Sequence, residues 1–154
     1  MMNKYEYFMS ESNSIEGEYR LNPGDMEALD YATTRGIYII SDILNIHKLL
    51  GDYLKKPWVG KLRTVNVHVG LHVPPNWQEL PLRIEEYITN YPQMDSWTAH
   101  NEFEKLHPFQ DLNGRVGRLI WLSKAVTEGY NFQTGFLQQY YYQTLNKYEK
   151  GEIL

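Results

Sequence analysis

His107-Pro108-Phe109-Gln110-Asp111-Leu112-Asn113-Gly114-Arg115-Val116-Gly117-Arg118 lies between two helix-like segments and runs directly into the second. It delivers an imidazole, a carboxylate, an amide, a glycine and two guanidiniums to what reads as a helix N-terminus. The first N–H groups of a helix have no partner inside it, and the helix dipole adds partial positive charge there, so such a loop suits phosphate. Gly114 lets the main chain come close to a ligand. Arg115 and Arg118 are three apart, share a helical face and can close on two anionic groups together. Asp111 is a hard oxygen donor of the kind that holds Mg²⁺ together with substrate phosphates. His107 has the one side chain here whose ordinary pKa suits a general base near neutrality.

These residues resemble the signature of Fic-domain proteins, H-P-F-x-(D/E)-G-N-G-R-x-x-R, at every fixed position but one. Leu112 stands where that pattern has glycine. The resemblance implies a mainly α fold, a Fic-type helical bundle with a small β-hairpin flap beside the active-site loop of residues 107–118. It also implies a protein adenylyltransferase, which moves AMP from ATP onto a Tyr, Thr or Ser hydroxyl of a target protein, itself included. In that reaction His107 is the base, Asp111 holds Mg²⁺, Asn113 and Gly114 line the anion site, and Arg115 and Arg118 anchor the β- and γ-phosphates. Relatives that resemble the Doc toxin bind the nucleotide reversed and transfer its terminal phosphate. Those carry lysine at the position of Gly114, so the nucleotidyl direction is expected here.

Leu112 bears on activity. Leucine at positive φ costs on the order of 1–2 kcal/mol, and a loop that changes shape to avoid the strain no longer aims its N–H groups at a phosphate. A weakened transferase is therefore expected. The alternative is a Fic fold that has lost its chemistry and serves as a nucleotide-responsive binding or regulatory module.

Upstream, Ser12-Asn13-Ser14-Ile15-Glu16-Gly17 reads by itself as a helix start or short turn. Asn13 and Glu16 have capping-box spacing, and Gly17 can end a short helix. The string also resembles the inhibitory motif of many Fic proteins, (S/T)-x-x-x-E-(G/N). That resemblance makes residues 1–20 an inhibitory segment in which Ser12, Glu16 and Gly17 matter. Glu16 is then expected to pair with Arg118 and compete with the nucleotide's terminal phosphate.

Between these stretches, Asp25 is a plausible N-cap for a helical pattern that runs to about residue 53, interrupted near Gly36. His47 lies among apolar residues and reads as a packed or surface histidine. In residues 64–70 the period changes: Val65, Val67 and Val69 alternate with Asn66 and His68, the pattern of a half-buried strand. Residues 60–75 resemble the family's flap, which would hold a target segment by main-chain pairing. Helices follow over residues 82–90, 95–106 and 136–148. Beyond the loop, Val116, Leu119, Ile120, Ser123 and Val126 trace one helical face.

Composition sets the outer limits. The 154 residues suit one domain spanning the whole chain, with 42% hydrophobic and 14% aromatic content. A net charge of −4 argues against nucleic-acid or membrane-surface binding. Cysteine is absent, which rules out disulfides and thiolate metal sites and makes a cytoplasmic setting the simple expectation. No apolar run approaches a transmembrane length, and the first residues lack the apolar core of a signal peptide.

Overall fold

The computed structural model describes residues 1–149, with side chains through Thr144. Residues 150–154 of the expected domain lie outside this range. Among the described residues there are seven α-helices and no strand: α1 (Lys4–Ile15), α2 (Asp25–Asp30), α3 (Ile40–Gly51), α4 (Leu80–Asn90), α5 (Ser96–Leu106), α6 (Asn113–Ala125) and α7 (Phe136–Glu149). None is long and apolar enough to cross a membrane.

The N-terminal helix begins on a capping box. Asn3 Oδ1 accepts from the N–H groups of Tyr5 and Glu6, and Glu6 Oε2 accepts from the Asn3 N–H. It ends at Gly17, whose φ is +78°. There the Glu18 N–H bonds the Asn13 carbonyl and the Gly17 N–H bonds the Ser14 carbonyl, both at 3.0 Å. This 6→1 and 5→2 pattern stops a helix sharply, so residues 12–17 close a helix rather than open one. Asn13 is not a cap. Its buried amide donates to the Arg20 carbonyl and, at 2.7 Å, to Asp25 Oδ2, tying α1 to the start of α2. Asp25 is the first helical residue rather than the N-cap, and that role falls to Gly24. The expected interruption near Gly36 is present: α2 continues as a π-helical turn, Tyr31–Arg35, and stops there.

The centre of the molecule is α6. One apolar face was expected, but the helix is buried almost all round, Arg115 and Arg118 included. A helix buried on every side lies inside the bundle rather than on its surface. Phe8 and Met9 of α1, Ile43, Ile46 and Leu50 of α3, Ile84 of α4 and Phe103 of α5 join it in one core. Gly117 sets how closely α5 approaches: a Cβ there would stand 3.2 Å from Phe103 Cδ1 and run into Glu104 Oε1.

Residues 64–70 do not form the strand that their alternation suggests. The single ladder contact among the described residues is an antiparallel bridge between Val69 and His72, closed around Gly70 and Leu71. Val65, Val69, Leu71 and Val73 are exposed, and Val67 is half-buried. The alternating residues meet no second sheet surface, and the returning arm runs into Pro74 and Pro75, which have no N–H to extend a ladder.

Candidate active site

His107 follows α5 as its C-cap in the left-handed region, with φ +45°. This turns the chain away from the helix axis and opens the loop that feeds α6. The imidazole is half-buried. Burial, followed by the nearby Arg63 guanidinium, holds its pKa below 6.5, so the ring is neutral and able to accept a proton. A cavity of about 310 Å³ is lined by His107, Asp111, Leu112, Gly114, Arg115 and Glu16, among others.

Leu112 occupies the N-cap of α6 with φ +70° and ψ +12°. The loop thus keeps a left-handed turn with leucine in it. The side chain is buried in the core, with Cδ1 3.0 Å from where a Cβ on Gly51 would stand. Burying a leucine is worth about 1.5–3 kcal/mol, enough to offset the backbone strain of about 1–2 kcal/mol.

Asn113 was expected to line the anion site. It lines the cavity, and its side chain also shapes the loop: Oδ1 accepts from the Phe109 N–H at 2.9 Å and Nδ2 donates to the Phe109 carbonyl at 2.8 Å. Asp111 is exposed at the cavity wall, with Oδ1 accepting from the Leu112 N–H. No group of three or more acidic or histidine side chains gathers as a metal site among the described residues. A single carboxylate nevertheless fits a Mg²⁺ that draws its remaining ligands from substrate phosphates and water.

The two arginines have separate surroundings. Arg115 faces the cavity and reaches Tyr53 Oη at 3.3 Å. Arg118 is held by the end of α1. Its Nε donates to Ser12 Oγ at 2.7 Å, and its Nη2 donates to the Ser12 carbonyl at 3.0 Å and to Glu16 Oε1 at 2.7 Å. The Glu16 carboxylate lies over the first turn of α6, where a Cβ on Gly114 would run into its Oε1 and stand 3.0 Å from Arg118 Nη1. An anionic side chain therefore sits at the positive end of the α6 dipole.

Residues 38–122 match the Fic/DOC family. This chain belongs to that family. Proteins called protein adenylyltransferase Fic from Drosophila melanogaster and Culex quinquefasciatus are 32% and 29% identical to it over 100 residues. Those alignments cover 59% of this chain and 20% of each relative, so the chain spans about a fifth of the length of these curated relatives. Fic-1 from C. elegans superposes with a TM-score of 0.59 at 18% identity, over 94% of this chain and 54% of that one. A Fic family protein from Desulfovibrio desulfuricans G20 gives 0.53 at 22% identity, over 83% and 47%. These likenesses establish the Fic fold. The family match begins beyond the segment that carries Glu16.

Three residues with roles in this Fic site carried little signal in the sequence. His47 is fully buried and stacks on Phe109 with centroids 3.8 Å apart. Its Nδ1 accepts from the Gly60 N–H at 2.9 Å, which leaves Nε2 to donate to the Asp111 carbonyl at 3.0 Å. It is a brace for the loop, held neutral by burial. Glu104 lies beneath Gly117, and burial pushes its carboxyl up to about 7, against the pull of Arg118. Arg63 binds the carbonyls at the end of α5. Each acts across long sequence separation, and only a lone charged or aromatic residue type marks it in the chain.

Proposed function

We propose that this protein transfers AMP from ATP to a hydroxyl side chain of a protein, and that the N-terminal segment restrains the reaction. The observation that carries the reading is the cavity shared by His107, Asp111, Gly114 and Arg115 at the N-terminus of α6. The names of the relatives support it at the level of the family.

His107, neutral at pH 7, takes the proton of the target hydroxyl as its oxygen bonds to the α-phosphorus. The bond from that phosphorus to the bridging oxygen breaks, and pyrophosphate leaves. Arg115, and Arg118 once Glu16 has withdrawn, hold the β- and γ-phosphates. The open N–H groups of the first turn of α6 face the charge on the phosphate chain. Mg²⁺ held by Asp111 would neutralise phosphate charge and help orient the chain. The work is positioning and electrostatics, as in phosphoryl transfer generally. The flap, residues 60–75, takes the target segment along its exposed main chain, with Val65, Asn66, Val67, His68 and Val69 as the contact region. Strand pairing would then form on binding rather than beforehand.

Glu16 is the restraint. Its carboxylate occupies the seat that Gly114 and Arg118 would offer a terminal phosphate, so nucleotide and Glu16 compete for one guanidinium. Ser12 holds the same guanidinium from its other side, and Gly17 ends α1 where Glu16 must project.

The test is incubation of the purified protein, as wild type and as Glu16→Gly, with α-³²P-ATP and Mg²⁺, beside a calorimetric ATP titration. Label on protein supports the transferase. Nucleotide binding with no label in either version identifies a nucleotide-responsive module instead.

A further inference from the structure

The loop of residues 64–75 and the turn that carries His107 meet at one side chain. Arg63 is 2% exposed, and its hydrogen-bond partners among the described residues are carbonyl oxygens. On one side, Nη1 donates to Val65 at 2.8 Å and Nη2 to Pro75 at 2.7 Å, the two feet of the flap. On the other, Nε donates to the His107 carbonyl at 2.7 Å and Nη2 to the Leu106 carbonyl at 3.4 Å. The Arg63 main chain adds a bond from its N–H to the Pro108 carbonyl at 2.9 Å. One buried guanidinium therefore closes the flap at its base and fixes the left-handed turn at His107.

We infer that Arg63 is a positioning residue that locks the target-holding flap to the catalytic histidine as one unit. The inference rests on the reading of His107 as the base and of residues 60–75 as the target flap. Its physical grounds are separate from both. The last carbonyls of a helix lack partners inside it, and a cation there is favoured by the dipole. A planar fork with five donors spans acceptors on two segments, which a lysine ammonium cannot do in fixed geometry. Among the described residues, His72 makes a further polar tie between residues 64–75 and α5, from Nε2 to the Lys105 carbonyl at 2.8 Å. It is exposed and carries no comparable hold.

A transferase needs the target oxygen and the proton acceptor in register, and misplacement by 1 Å can cost about 10²-fold in rate. The nucleotide seat, built from Gly114, Arg115 and Arg118, has no bond to Arg63. Loss of Arg63 should therefore separate the two halves of the reaction.

The experiment compares Arg63→Gln and Arg63→Lys with their parent, all in the Glu16→Gly background. It measures ATP affinity by calorimetry, self-labelling from α-³²P-ATP, and amide hydrogen exchange. The expected result for Arg63→Gln is unchanged ATP affinity, with faster exchange confined to residues 64–75 and the 107–109 turn while α6 stays protected. Self-labelling falls about 10²-fold, and Arg63→Lys recovers only part of it. Exchange that rises throughout α6 overturns the proposal and leaves Arg63 a general stabiliser. Loop exchange unchanged from the parent overturns it too, as does full recovery with lysine. If the parent itself carries no label, the transferase reading fails, while the exchange pattern still decides whether Arg63 couples flap and turn.

Discussion

Glu16 Oε1 lies 2.7 Å from Arg118 Nη2, joining the end of the first helix to the central helix across 102 residues of sequence. The guanidinium is nearly buried, with 6% side-chain exposure against 40% for the carboxylate. It already has two further acceptors on Ser12. Removing the carboxylate therefore leaves Arg118 positioned and available. Glu16→Gly is expected to raise ATP affinity and self-labelling, and adding Arg118→Ala is expected to abolish both gains. A Glu16→Gly protein with wild-type affinity for ATP would make the contact structural only.

The role of His107 separates binding from chemistry. Its imidazole makes no hydrogen bond to the loop that follows, so His107→Ala should bind ATP·Mg²⁺ much as the parent does. Loss of a general base lowers rate by about 10²–10⁴-fold. Calorimetry beside the labelling assay checks both halves. Retained labelling in the mutant removes His107 from the role.

At Leu112 two opposing terms nearly cancel. Leu112→Gly relieves about 1–2 kcal/mol of left-handed strain and gives up about 1.5–3 kcal/mol of burial. The expected result is a net loss of stability of about 1 kcal/mol in urea denaturation. Because the turn is already left-handed, relief of its residual strain should raise the labelling rate of the Glu16→Gly protein only modestly. A large gain in rate would mean that leucine displaces the phosphate seat.

Glu104 gives a pH dependence with a definite sign. Its folded pKa is raised from 4.5 to about 7, so the native state retains a proton that the unfolded chain has released. Its contribution to stability is fully present below pH 4.5 and is lost as pH rises through about 7. Glu104→Gln, which stays neutral, should gain melting temperature over wild type at pH 8 and show less advantage at pH 5. An equal difference at both pH values would contradict the assignment.

Much of the site could be read in the chain because its chemistry is local. Residues 107–118 carry His107, Asp111, Gly114 and Arg115, which line one cavity at the start of α6. The Ser12–Gly17 string led to the Glu16–Arg118 contact only through resemblance, since nothing in residue spacing joins positions so far apart. Residues 64–70 were misread as a strand because alternation of valines reports side-chain preference, whereas a ladder needs a partner that Pro74 and Pro75 deny. Asn113 lines the cavity beside Gly114, but its two bonds to Phe109 could not be read in the chain because they depend on the loop's tertiary shape. Arg63 was silent for the same reason, since its acceptors are carbonyls, which every residue has; the packing of His47 was legible but its bonds to Gly60 and Asp111 were not.

In the proposed reaction the α-phosphate moves with its nucleoside. The direct measurement is parallel incubation of the Glu16→Gly protein and Mg²⁺ with α-³²P-ATP and with γ-³²P-ATP, followed by electrophoresis and mass spectrometry of the labelled band. Label is expected from the α-position only, with the mass of AMP on a hydroxyl side chain. Label from the γ-position only would show a phosphotransferase that binds the nucleotide reversed, and would contradict the proposed reaction.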